Sequence, residues 1–369
     1  MARKYPYAKS AQALYRPAQG SQFFDSWNFS DIQNDDLLCA EMCRLAYADR
    51  QTVSSVLSAI KFTLAHWVGG ETREQRGATR GTDGFVATSD EGGRTVLAFR
   101  GTESNKPEDI LTDALATSVP WKSGGQVHRG FSQAYALVQD DIAHALPASG
   151  RLLVTGHSLG AGLATLAAAD FASRAVTLIT FGSPLVGDSA FKQLLDGVDV
   201  HRFVDCCDLV TRIPPPRFDE SSIEQLFGEL IPPRSRPGPM MDGLIKTVAA
   251  GLAGALRALG VQPQYDHVRG AMYGDNTGTM TPGITASAIA VDQQTARHAY
   301  SGSLTPDVKH LMHDLVTAVL AAGAAGDASA LRAAIGNFGA RLFQGDPVPL
   351  RDLADHAPIN YVSLLTGRQ

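Results

Sequence analysis

The sequence predicts an α/β fold with a mostly parallel central sheet flanked by helices, and three stretches carry that expectation. Leu152-Leu153-Val154-Thr155 is a short apolar run. Gly156-His157-Ser158-Leu159-Gly160 follows it, and then an Ala-rich segment to about Ser173, which reads as buried strand, sharp turn and helix. Residues 176–181 and 201–204 are further strand-like runs, with a short helical stretch, 189–195, between them. Strands alternating with helices build βαβ units and a parallel sheet. Residues 84–101 predict an antiparallel hairpin at one side: Phe85-Val86-Ala87-Thr88, a turn at Asp90-Glu91-Gly92-Gly93, and Thr95-Val96-Leu97-Ala98-Phe99.

The remaining elements follow in chain order. Residues 1–30 are polar with scattered aromatics and read as an arm packed on the surface. Between 35 and 49, Leu38, Met42 and Leu45 recur at helical spacing and predict an amphipathic helix. A loop with a short acidic helical piece at 107–116 precedes a helix over 131–146, closed by Pro147. After Pro214-Pro215-Pro216 the character changes, with a Pro-rich break at 231–239 and an apolar helix over 243–259. Leu244, Val248, Leu252, Leu256 and Leu259 share one face of that helix, so it either covers the core or meets lipid as a mobile cap. Lys246 and Arg257 interrupt it, and its length falls short of a membrane span. Another Ala-rich helix covers 308–322. The expected organisation is a single domain, 1–369, whose core is 30–216 with 350–369 and whose 217–349 is a largely helical insertion or cap.

Composition narrows the function. Of the 369 residues 44% are hydrophobic and 19% charged, which is ordinary for a globular enzyme. A net charge of −5 without a Lys/Arg-rich run offers no footprint for nucleic acid. The opening MARKYPYAKSAQALYRPAQG has no apolar core and does not read as a secretory signal, so a cytoplasmic location is the default expectation, with signal-independent export as the alternative. Cys39 and Cys43 lie four apart on a predicted helix, and Cys206 and Cys207 are vicinal. Neither pair bridges without strain, so free thiols are expected. No His or Cys cluster has ligand spacing, so neither metal nor other cofactor is expected.

The turn at Ser158 carries the chemistry. A Gly-x-Ser-x-Gly between strand and helix is the context of a nucleophile elbow, which strains the serine backbone and exposes its hydroxyl. Side chains at Gly156 or Gly160 would clash where strand and helix cross. The helix N-terminus favours developing negative charge beside the hydroxyl. A serine nucleophile needs a base and a group to orient it. Asp208, with Asp205 as its competitor, follows the predicted strand 201–204 and so lies at the sheet edge that carries Ser158. His157 adjoins the serine and points away. His66, His128, His144 and His201 precede the acid in the chain, against the usual order. Of His267, His298, His310, His313 and His356, two (His310 and His313) fall on a predicted helix. Spacing leaves His356 and His267 as the bases to weigh.

At this point the ordered motifs resemble the fungal-type triacylglycerol lipase family, lipase class 3, over residues 35–215 and the last twenty. The similar segments are FVATSDEGGRTVLAFRGTES, VHRGFSQAY, VTGHSLGAGLATLAA, TFGSPLVGDSAF, VHRFVDCCDLVTRIPP, YDHVRGAMY and DHAPINYVSLL. The resemblance implies an α/β-hydrolase fold with helical insertions after the acid's strand. It places the acid at Asp208 and the base at His356, and makes His267 part of a structural segment. It puts the oxyanion hole at Thr102 and at the backbone N–H of Leu159, and sets Asp113 beside the lid to hold the oxyanion residue. The segment 104–116 is mostly polar where the family's lid carries bulky apolar residues, which leaves the insertion 217–349 as an alternative lid. The implied activity is serine carboxylic-ester hydrolysis, foremost of acylglycerols. A short-chain esterase, a phospholipase A1 and a membrane-associating effector are the alternatives. The expected partner is a lipid or ester substrate, with transient contact at a membrane or lipid-droplet surface.

Overall fold

The computed structural model describes residues 3, 5–19, 22–69, 83–91, 93–101, 117–231, 239–260, 263–281, 283–300 and 308–367. Its centre is an eight-stranded sheet. The strands are β1 (Phe62–Val68), β2 (Gly84–Ser89), β3 (Arg94–Phe99), β6 (Arg151–His157), β7 (Val176–Phe181), β8 (Asp199–Asp205), β9 (Ala271–Gly274) and β10 (Met280–Thr281), adjacent in that order. A separate ribbon pairs β4 (Ser118–Pro120) with β5 (Gln126–His128). From β3 through β9 the central pairings are parallel, and the antiparallel pairs β1–β2, β2–β3 and β9–β10 lie at the two edges. This is the mostly parallel sheet with a flanking hairpin that the alternation predicts.

Register decides where the site forms. Phe99 pairs with Gly156, His157 with Phe181, and Phe181 with Phe203. The C-terminal ends of β3, β6, β7 and β8 therefore finish side by side, and the loops leaving them share one edge, where open α/β sheets bind their ligands. β6 and β7 are buried at every position after Arg151, as expected for strands covered on both faces.

One face is covered by the helices Asp35–Leu45 and Pro358–Thr366, whose apolar side chains cluster with Phe85, Leu153, Phe181 and Phe203. The other carries Arg129–Ala136 and Leu159–Asp170, clustered with Val154 and Leu178. Two expectations need correction here. The helix at Asp35 is not amphipathic: Leu37 through Leu45 are all buried, including Glu41 and Arg44, which pair at 2.6 Å. It lies between the sheet and the helix Pro358–Thr366, so no side faces water, and its charges neutralise each other internally. The helix predicted over 131–146 is two, Arg129–Ala136 and Gln139–Ala145. The break at Leu137 and Val138 lets Tyr135, Val138 and Ile142 all reach the core while Leu137 stays exposed.

The insertion is helical, as expected. Glu220–Leu230, Pro239–Ala258, Val308–Ala325 and Ala328–Leu342 bundle around their own apolar cluster. Among the described residues no helix is long and apolar enough to cross a membrane. The opening arm packs on the surface, with part of it buried. Tyr5 is buried, and the side chain of Arg3 is 4% exposed. Buried acidic groups under the sheet edge hold it, and hydrophobic patterning cannot reveal them.

Candidate active site

β6 leads into the Gly156–Gly160 turn, and the helix Leu159–Asp170 leaves it. Ser158 has φ 59° and ψ −129°, a conformation that costs a residue with a side chain on the order of 1–3 kcal/mol. Its N–H donates to the Phe181 carbonyl at 3.1 Å, which ties the strained residue to β7. The flanking glycines are required by contact. A Cβ at Gly156 would stand 2.1 Å from the Gly160 oxygen, and one at Gly160 would stand 2.4 Å from the Phe99 oxygen. Leu159 is the first residue of the helix, so its N–H has no acceptor within it and points where an anion would gather. Gly101, at the end of β3, completes this corner. A Cβ there would lie 3.2 Å from the Ser158 Cβ.

Asp208 stands in the loop after β8 with its side chain wholly buried. Three donors satisfy it: the Val210 N–H at 2.8 Å, the Tyr361 hydroxyl at 2.5 Å and His356 Nδ1 at 2.8 Å. His356 lies between the helices Arg351–Ala354 and Pro358–Thr366 and is itself buried. A carboxylate accepts only, so this bond assigns the proton to Nδ1 and leaves Nε2 as the basic nitrogen. Nε2 is buried and has no hydrogen-bond partner among the described residues. Gly182, at φ +58°, makes room for the pair. A Cβ there would lie 2.7 Å from Asp208 Oδ2 and 2.9 Å from His356 Nδ1.

His157 serves the same corner from behind. Its Nε2–H donates to the His356 carbonyl at 2.8 Å, and its Nδ1 accepts from the Tyr47 hydroxyl at 3.0 Å. Burial, reinforced by the neighbouring His356, holds its pKa well below the usual histidine range. It is thus a neutral strut between the serine turn and the base loop.

A family model described as Lipase (class 3) matches residues 96–218, the segment from β3 through the serine turn to the loop of Asp208 and beyond. Residues 96–218 of this chain are thus similar to the class 3 lipases. Among similar proteins, the lipase of Rhizopus niveus is 32% identical over 154 residues, 37% of this chain and 39% of that protein. The lipase of Rhizomucor miehei is 32% identical over 152 residues, 37% of this chain and 42% of its own. Phospholipase A(1) DAD1, chloroplastic, of Arabidopsis thaliana is 40% identical over 148 residues, 32% and 33% of the two chains. The chain thus spans about two fifths or less of these curated relatives. A solved Rhizomucor miehei triacylglyceride lipase aligns with a TM-score of 0.42 at 23% identity, covering 51% of this chain and 76% of that one.

The predicted site residues of this chain separate clearly. Asp208 and His356 come together through their 2.8 Å bond, and His157, next to Ser158, bonds the His356 carbonyl. Asp205, the competing acid, is buried elsewhere and engaged by Arg3 at 2.7 and 2.8 Å. Burial pushes its carboxyl above the usual range, and Arg3 opposes that. His267 does not face Asp208. Its Nε2–H donates to the Thr211 carbonyl at 2.6 Å, and burial pushes its pKa down to about 3. His310 and His313 are exposed on the helix Val308–Ala325. Thr102, Asp113 and the segment 104–116 lie outside the described residues. Sequence reasoning missed Gly182 and Tyr361, though both sit inside quoted motifs, TFGSP and DHAPINY.

The thiols are free, as read from their spacing. Cys206, Cys207 and Asp355 offer ligand atoms within 4.8 Å of one another, a cluster the spacing argument did not anticipate. It is poorly suited to a metal. Burial raises the Cys206 thiol well above its usual range, while Asp355 already accepts from Arg3, Tyr7, Arg351 and the Cys207 N–H.

Proposed function

We propose that the chain is a serine carboxylic-ester hydrolase acting on acylglycerol lipids through an acyl-enzyme on Ser158. The observation that carries this reading is the buried 2.8 Å hydrogen bond from His356 Nδ1 to Asp208, at the sheet edge that holds the strained Ser158. Ser158 Oγ adds to the ester carbonyl carbon as its proton passes to His356 Nε2. Asp208 holds the ring by Nδ1 and stabilises the imidazolium that forms. The Leu159 N–H, with Thr102 as the second expected donor, supports the oxyanion, each donor contributing roughly 3–4 kcal/mol at the transition state. The C–O bond breaks, and the leaving alcohol takes the proton from Nε2. Water then adds to the acyl-enzyme along the same path and returns free Ser158.

Hydrolysis of p-nitrophenyl esters from short to long acyl chains, for wild type beside Ser158→Ala, tests this. The variant is expected to lose on the order of 10⁶ in kcat, as when a triad acts as a unit. Retained turnover sinks the assignment. A preference for medium or long chains supports a lipase, and a short-chain optimum an esterase. The similarity to the Arabidopsis phospholipase A(1) favours a second reading, cleavage of the fatty ester of a phospholipid. Phosphatidylcholine vesicles against triacylglycerol emulsions decide between the two. Either substrate sits in an aggregate, so the enzyme would meet a lipid surface transiently. The buried free thiols suit a reducing, cytoplasmic setting.

A further inference from the structure

We propose that Arg3 is a positioning residue that clamps the loop carrying Asp208 to the loop carrying His356. The proposal rests on reading Ser158, Asp208 and His356 as a triad. Asp208 and His356 come from loops 148 residues apart in sequence, and their side chains meet. Beneath them lies a second junction. Arg3 places two nitrogens on the two oxygens of Asp205, at 2.8 and 2.7 Å, in the paired geometry that a guanidinium and a carboxylate favour. One of those nitrogens also donates to Asp355 at 2.9 Å.

Asp205 ends β8, three residues before Asp208, and Asp355 immediately precedes His356. Asp355 closes the circuit by accepting from the Cys207 N–H at 3.0 Å, inside the acid's own loop. Both carboxylates are wholly buried, and the Arg3 side chain is 4% exposed. Two buried carboxylates held close repel unless a cation sits between them. Arg351 also reaches Asp355, at 2.6 Å, but Arg3 alone donates to the carboxylate of Asp205 among the described residues. Without Arg3, Asp205 becomes a buried charge with no hydrogen-bonded partner cation, directly upstream of the catalytic acid.

The rest of the arm fixes Arg3 in place. The Tyr7 hydroxyl donates to Asp355 at 2.6 Å, and the Arg3 guanidinium lies 4.5 Å from the Tyr7 ring centroid. The Ala8 N–H and carbonyl both bond Asn360, each at 2.8 Å, on the helix that follows His356. The arm therefore grips the base loop on both sides of His356 and reaches the acid loop through one side chain.

The test is steady-state hydrolysis of a soluble p-nitrophenyl ester, with active sites counted by a fluorophosphonate that labels Ser158. Wild type, Arg3→Gln, Arg3→Lys and Tyr7→Phe are compared, with Arg341→Gln as a control that breaks an exposed ion pair. A shift of up to 1 Å at the reacting groups costs about 10²-fold, so kcat per labelled site in Arg3→Gln is expected to fall about 10- to 100-fold. KM should stay within about twofold, and Arg3→Lys should recover part of the loss. Tyr7→Phe, which keeps Arg3, should fall less in the same direction and serves if Arg3→Gln does not fold. Wild-type kcat per labelled site in Arg3→Gln, or in Tyr7→Phe where only that variant folds, overturns the clamp. So does a loss that appears only as fewer labelled sites. A wild type that neither labels nor hydrolyses overturns the triad reading itself, and the clamp with it.

Discussion

Adding one methyl group at Gly182 tests the site where the geometry is tightest. Gly182→Ala places a Cβ 2.7 Å from Asp208 Oδ2 and 2.9 Å from His356 Nδ1 and Cε1, where ordinary contact begins at 3.4 Å. The acid and base must therefore retreat by roughly half an ångström or more, because the backbone at Gly182 is held by its N–H bond to the Phe203 carbonyl. The residue also sits at φ +58°, which costs a non-glycine about 1–2 kcal/mol before any clash. Placement errors approaching 1 Å cost about 10²-fold in rate, so kcat should fall about 10- to 100-fold with KM little changed. Stability should fall by about 1–3 kcal/mol. The assay is ester hydrolysis per active site, beside denaturant unfolding. Gly254→Ala is the control, since its Cβ meets open space within a helix and should hold or raise stability. A folded Gly182→Ala enzyme with wild-type kcat refutes the claim that this glycine sets the acid–base pair.

Three further outcomes follow from the same contacts. Tyr361→Phe removes the 2.5 Å bond to Asp208 and the 3.2 Å bond from the Asp205 N–H. It should cost about 2–4 kcal/mol in a denaturant titration and lower kcat, and an unchanged denaturation midpoint would contradict the shared role. His267, held neutral with a pKa of about 3, takes up a proton in the unfolded chain below about pH 6.5, where the native state does not. Native stability therefore falls as pH drops from about 6.5 toward 3. His267→Gln should flatten that slope between pH 4.5 and 7.5, and an unchanged slope would count against the buried neutral form. Leu252→Ala, at a side chain buried among the insertion helices, should destabilise by about 2–5 kcal/mol, whereas a loss below about 1 kcal/mol would mean the face is not packed.

What the sequence made legible tracks how local the cause is. Gly156 and Gly160 could be read from three residues of context, because the clash they avoid involves their own turn. The strands β6 and β7 were readable because full burial leaves continuous apolar runs. β1 was missed: its exposures alternate poorly, and its register shifts between Leu64 and His66, which erases a period of two. Choosing Asp208 over Asp205, and His356 over His267, needed the ordered motifs rather than spacing. Asp205 is as buried as Asp208, and His267 is hydrogen-bonded like His356, so neither acid burial nor hydrogen bonding would have separated them. The burial of Arg3 itself depends on two aspartates more than 200 and 350 positions away. No local pattern encodes such a partner.

The apolar helix Pro239–Ala258 illustrates the opposite error, a strong local pattern with two meanings. Its stripe could serve a lipid surface or a core, and packing decides. Val248, Leu252 and Leu256 are 3% exposed or less and join one cluster with Leu311, Leu315 and Ile335 from the neighbouring helices. The same cluster contains Leu209 and Val210, directly after Asp208, and Leu353, Ala354 and Ala357, around His356. A segment that swung away to admit substrate would strip apolar cover from both loops at once. The insertion is therefore better understood as a buttress behind the acid and the base. Arg3 pins those loops with charge from below, and the helical bundle packs against them through dispersion and burial. Ser158 needs neither device, because its own backbone turn already holds it.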